Sequence, residues 1–222
     1  ATMSAGTVFT STVDEVDYQF VTIADVTKSN TGAGVPFTNI DIYEGTYVTT
    51  RYTVDSSDVD QRFLLPDNRS DTSTLTVKVQ TSSADTTTTT YTKATDITQV
   101  SSTSSSYFLQ EVESGKFEIY FGDGVVGKAL SDDNIVILQY VVTNKAGANG
   151  ASIFANSGAI ATVTDVSVST VGTASGGAEP ESISSIKYNA PLDYAAQGRC
   201  VTAEDYKPVS YTHLTLPTIY SV

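Results

Sequence analysis

The sequence predicts a mainly β protein. An antiparallel β-sandwich or meander spans residues 1–175, and a truncated α-helical C-terminal part over 176–208 starts an α+β domain. Three observations carry this. Thr and Ser abound, Trp is absent and Tyr outnumbers Phe 13 to 8; β-branched and aromatic side chains suit a pleated, half-buried surface. Alternating apolar runs recur about every ten residues with turn signals between them. After Gly176-Gly177 the pattern changes to a proline-started segment with apolar residues at helical spacing.

Taken in order, residues 6–28 hold two strands, Gly6–Phe9 onward and Tyr18–Ile23, with the acidic Asp14–Asp17 as their turn. Ser29–Gly34 is a loop that Pro36 closes. Tyr47–Val54 is a strand, and Gly45 stands where a strand bends or bulges. Asp55–Asp60 and Pro66–Asn68 are turns around a short apolar strand, Phe63–Leu65. Ser73–Gln80 alternates, with Leu75, Val77 and Val79 on one face. The Ser/Thr-rich stretch 81–106 contains five consecutive threonines, Thr86–Thr90, and lacks Gly and Pro. It therefore reads as exposed strands at Thr87–Thr92 and Ile97–Val100, then a loop at Ser101–Ser106. Tyr107–Val112 is a strand. Phe117, Ile119 and Phe121 alternate into Gly122-Asp123-Gly124, which reads as the turn of a hairpin returning along Ile135–Val142. One or two further strands are expected up to Val171, and Gly172–Gly177 is the expected domain boundary. A short helix follows Pro180, with Ile183, Ile186 and Ala190 on one side, and stops before Pro191. Thr202–Asp205 is a second helix start.

The charge excludes whole classes of partner. Twelve Lys and Arg against 25 Asp and Glu give −13, and the basic residues are scattered singly. Nucleic acid and anionic membranes call for a basic face, which this chain lacks. No apolar run reaches the eighteen or so residues of a membrane span. A lone cysteine, Cys200, forms no internal disulfide, which fits a reducing compartment. At this length folding buries roughly 70% of the unfolded chain's surface, so no staples are required.

Catalytic patterns fail one by one, and neither an enzyme nor a cofactor is expected. The sole histidine, His213, lies in a suspect tail, and Cys200 has no base partner. Asp132/Asp133 and Asp14/Asp17 read as solvated turn formers. Asp55–Asp60 invites a cation but lacks the central glycine and closing glutamate of a calcium loop. Gly122–Lys128 lacks the glycine spacing and the Ser or Thr after lysine that a phosphate loop requires.

Three motifs in fixed order carry a resemblance. They are Phe121-Gly122-Asp123-Gly124 with Gly127; Tyr140 with Gly147, Asn149 and Gly150; and a block of Gly176, Gly177, Glu181, Ser182, Ala190, Pro191, Gly198, Arg199, Val201, Thr202, Asp205 and Tyr206. Together they resemble the baseplate J-like family, most closely the wedge subunits of contractile-tailed bacteriophage baseplates, over about Gly6–Tyr206. Asn144-Lys145-Ala146 stands where a glycine is often found in that pattern. The resemblance implies a structural virion protein of the tail baseplate, assembled in the host cytoplasm. It implies a homodimer within a sixfold ring, contacts with other wedge proteins, rearrangement on contraction, and no small-molecule substrate. The rival from composition is a secreted β-sandwich adhesin or carbohydrate-binding module; a tail-spike-like hydrolase using paired acids is a distant third.

Residues 209–222 call for a separate reading. Val209–Thr218 resembles one reading frame of a sequencing adapter, so the chain is expected to be a fragment that departs from its natural sequence after Lys207. At the other end, Ala1-Thr2-Met3-Ser4 shows no basic-then-apolar leader, and none is expected.

Overall fold

A computed structural model describes residues 1–32, 34–58 and 61–196. Among these described residues, thirteen strands precede one α-helix. They are β1 (Thr2–Met3), β2 (Val8–Val13), β3 (Val16–Val21), β4 (Val26–Thr27), β5 (Tyr43–Glu44), β6 (Thr46–Thr53) and β7 (Phe63–Leu65). Next come β8 (Ser70–Gln80), β9 (Thr88–Lys93), β10 (Ser106–Val112), β11 (Lys116–Phe121), β12 (Ile135–Val142) and β13 (Ala155–Asn156). The helix is α1 (Ile183–Ala196). The mainly β, largely antiparallel class is the one the sequence predicts.

The strands build two cores. A seven-stranded sheet, ordered β6-β12-β8-β9-β10-β11-β7, encloses the larger one. Val136, Leu138 and Tyr140 of β12, Val77 and Val79 of β8, Tyr91, Tyr107, Ile119 and Leu65 all point into it. The sheet curls until its two edges meet. Tyr52 Oη on β6 donates to the Leu64 carbonyl on β7 at 2.8 Å. Edge-on ring contacts run Tyr52–Phe63–Phe121–Tyr91 at 5.8, 5.4 and 5.4 Å, linking β6, β7, β11 and β9 across the interior. Each such pair contributes about 0.5–1.5 kcal/mol beyond area burial.

The smaller core combines distant parts of the chain. The sheet β13-β2-β3-β5 and the pair β1-β4 pack Met3, Phe9 and Phe20 against Ala148, Ala151, Phe154 and Ile160. At the β2–β3 turn, Asp14 and Glu15 both take positive φ, the geometry that matches the strand twist. Gly45, at φ +124, passes the chain from β5 of one sheet to β6 of the other. A Cβ there would run into the Val142 carbonyl and lie 2.8 Å from Val141 Cγ1, so only glycine fits.

Four expectations are corrected. First, β11 and β12 form no hairpin: β11 pairs with β10 and β7, while β12 pairs with β6 and β8. The tight connection is between β10 and β11, where Ser114 and Gly115 supply the positive φ. Second, Ile97–Gln99 is a 3-10 turn rather than strand. Asp96 caps it by accepting from the Thr98 amide at 2.9 Å, a local bond that competes with strand pairing. Third, of the one or two strands expected between Gly150 and Val171 only β13 forms, and residues 157–171 add just the Ile160–Val163 bridge among the described residues. Val166 and Val168 alternate because they pack on the small core without any ladder. Fourth, α1 starts after Pro180 and runs through Pro191. That proline removes one bond, to the Lys187 carbonyl, and its exposed ring leaves the turn room to adjust. Among the described residues no helix is long and apolar enough to cross a membrane.

Candidate functional site

The motif residues fall into two groups, one following the C-terminal end of β12 and one following β11. They form two separate main-chain junctions.

At the C-terminal end of β12 the chain is held to three other segments. Tyr140 is buried, its Oη 3.3 Å from Thr50 Oγ1. The Glu44 carboxylate takes both the Asn144 amide and Asn144 Nδ2 at 2.7 Å. Lys145, in the Asn144-Lys145-Ala146 stretch, adopts a left-handed φ of +63. Its Nζ reaches Glu179 Oε2 at 3.0 Å. Gly147 faces the ring of Tyr18, whose Oη a Cβ would meet at 2.7 Å.

Asn149 and Gly177 then bind reciprocally: Asn149 Nδ2 donates to the Gly177 carbonyl at 2.7 Å, and the Gly177 amide donates to Asn149 Oδ1 at 3.0 Å. The Gly150 amide donates to the Ala174 carbonyl, and the Ala174 amide to the Ala151 carbonyl, each at 2.8 Å. Gly150 and Gly176 take positive φ, and a Cβ on Gly177 would collide with the Lys145 carbonyl. The second and third motifs thus meet. The glycine-rich segment expected as a boundary is strapped onto the strand end.

Beyond it, Glu181 and Ser182 build the start of α1. Glu181 Oε1 accepts from Ser185 Oγ at 2.5 Å and Asn189 Nδ2 at 2.9 Å. These bonds, Ser185 first, hold its carboxyl below the ordinary glutamate range. Ala190 and Pro191 lie on the exposed part of the helix. Gly198, Arg199, Val201, Thr202, Asp205 and Tyr206 lie outside the described residues, as do Cys200, His213 and the adapter-like tail.

After β11, the Phe121–Gly127 motif forms a closed loop. Phe121 points into the large core. Asp123 Oδ1 accepts from the Val126 and Val125 amides, both at 2.9 Å, which lowers its pKa. The Gly124 amide donates to the Gly127 carbonyl at 3.0 Å, and both glycines have φ near +88. Gly127 and Lys128 amides donate to the Ser101 and Ser104 carbonyls at 3.1 and 2.9 Å, which fixes the loop against the Ser-rich one. This is no phosphate cradle: its donors are spent internally.

The remaining sequence candidates serve as turn formers. Asp55 Oδ1 accepts from the amide and hydroxyl of Ser57, and Asp132 from the Ser56 amide. Among the described residues no group of three or more potential metal ligands forms a site. One notable residue gave no signal in the sequence. Glu118 is 2% exposed, accepts from Tyr120 Oη at 2.8 Å, and lies 3.6 Å from Arg62 Nε. Its strand alternation places it on the outer face of the sheet, so pattern alone assigns it to solvent.

No family model matches the chain. It is similar to baseplate wedge protein gp6 of Enterobacteria phage T4, with 30% identity over 128 residues, covering 47% of this chain. The chain spans about a fifth of that relative's length, the match covering 19% of it.

Proposed function

We propose that this chain is a structural component of a bacteriophage tail baseplate, a wedge subunit whose β region packs into the ring around the tail tube. The observation that carries this reading is the likeness to a baseplate wedge protein. The junction geometry supports it: Gly147 and Gly177 are used in close packing, and Asn149, Gly150 and Gly177 in hydrogen bonds, which suits a load-bearing joint. The role is mechanical, with no catalysis. The partners are a second copy of the chain and other wedge proteins. Nucleic acid and anionic membranes are disfavoured by a net charge of −13 with scattered cations, and the reading includes no small-molecule substrate. Assembly takes place in the host cytoplasm, and the ring rearranges as the tail contracts.

The test is gold-labelled antibody against residues 1–175 applied to intact virions of a phage that encodes this sequence. Label at the tail end supports the reading. Label confined to fibres, or to secreted material with no virion label, overturns it and favours a surface β-module.

A further inference from the structure

The large sheet contains an incomplete seam. β9 and β10 are parallel and pair only at Ser106–Thr92 and Tyr107–Lys93, while every other neighbouring pair in the sheet is antiparallel. The Ala94 amide donates to the Tyr107 carbonyl at 2.8 Å, so the main-chain groups of Tyr107 face β9. Strand groups alternate sides, so the N–H and C=O of Leu109 and Glu111 face the same way. There β9 has already ended and the chain has turned off into the Ile97–Gln99 turn. Among the described residues no strand covers β10 beyond Tyr107 on this side.

A groove lies along the same strand on the outer face. Phe108, Gln110 and Tyr120 form its floor, and Ile97, Asp123 and Val126 its walls. Ile97 is 62% exposed and Val125, at the loop tip, 74%. The walls are preformed: Asp96 holds one turn and Asp123 the other, and Gly127 and Lys128 tie the second loop to Ser101 and Ser104. Around the edge stand exposed Glu111 and Glu113, with Asp96 and Asp123 on the walls.

We infer that the β10 edge at Leu109–Glu111 is a strand-addition site for an extended segment of another protein, apolar on one face and basic on the other. The incoming strand continues the line of β9. Its main chain pairs with Leu109 and Glu111, its apolar side chains lie beside Phe108 and Ile97, and its Lys or Arg meets Glu111. Main-chain bonds supply the affinity and the flanking side chains the choice of partner. A second copy is the poorer occupant, because each copy carries −13. The inference stands independently of the baseplate reading.

The test uses the whole chain and two capped heptapeptides, one alternating Lys and Val, the other Glu and Val. The Lys/Val peptide is expected to bind saturably, at least about tenfold tighter than its acidic counterpart, since one such step is only about 1.4 kcal/mol. Binding slows hydrogen exchange of the Leu109 and Glu111 amides. Glu111→Lys weakens it by about the same factor. Glu111→Pro, which removes an outward-facing N–H, abolishes it with little change in thermal unfolding. Glu111→Lys keeps the test valid if the proline variant misfolds. Equal binding of both peptides, no binding at about 1 mM, or slow exchange at both amides in the free chain overturns the inference. So does a Glu111→Pro-sensitive dimer, which assigns the edge to a second copy.

Discussion

Gly177→Ala probes the joint between the end of β12 and the segment leading to α1. The new methyl would be driven into the Lys145 carbonyl oxygen, 2.9 Å from its carbon and 3.1 Å from Asn149 Oδ1. Lys145 and Asn149 are held in place by Thr143 and by main-chain bonds, so the arriving segment must move away. That displacement stretches the reciprocal Asn149–Gly177 pair and the Gly150–Ala174–Ala151 bonds behind it. Overpacking costs about 1–3 kcal/mol. Each hydrogen bond lost is worth about 0.5–1.5 kcal/mol net. The expected total is about 2–4 kcal/mol, a large part of the roughly 5–15 kcal/mol that holds a domain folded.

Gly172→Ala is the control, because nothing lies within 4 Å of its Cβ position. It should be neutral or stabilise by about 0.4–1 kcal/mol through the unfolded chain. Urea unfolding measures both, and amide exchange at Gly150 and Ala174 shows whether the strap alone has lifted. A Gly177→Ala midpoint equal to that of Gly172→Ala, with both amides still protected, would mean that the Gly177 contact does not hold this joint.

Other outcomes follow from the same geometry. Gly45→Ala should destabilise by about 2–5 kcal/mol in urea unfolding, from the φ of +124 and the contact with Val141 and Val142; a loss under about 0.5 kcal/mol would contradict it. Glu118→Leu should leave stability unchanged or raise it by up to about 2 kcal/mol, since a buried carboxylate is exchanged for packing while exposed Arg62 returns to water. A clear loss would mean that the ion pair stabilises the sheet. Asp123 and Asp67 should titrate below the ordinary aspartate value of 3.8, held down by the Val126 and Val125 amides and by Arg69 respectively. Their folded pKa values are depressed, so their stabilising contribution is present above 3.8 and is lost as pH falls through the folded values. Carboxylate NMR titration checks this; an Asp123 midpoint above 3.8 would remove the loop bonds from the account.

Local pattern made much of this fold legible. Phe63–Leu65 and the alternation through Leu75, Val77 and Val79 announce their strands because one face is buried against a single core. Gly45 announced its bend because only glycine tolerates that φ. What pattern could not give is which strands are neighbours. Phe117–Phe121 and Ile135–Val142 read as partners because they adjoin in sequence, yet β8, β9 and β10 lie between them in the sheet. Nothing in either strand encodes that crossing. The Asn149–Gly177 pair was visible only as two separate motifs, since its bonds span 28 residues. The helix ran past Pro191 because exposure there lets the backbone absorb one missing donor.

A baseplate component joined at the strand end around Gly177 is what this chain is proposed to be. The most direct test is an electron cryomicroscopy map of the tail end of a phage that encodes this sequence. Density in the baseplate is expected for the curled seven-stranded sheet, with the Asn149–Gly177 strap in place. A complete baseplate map whose every protein is assigned, with this chain absent, would contradict it.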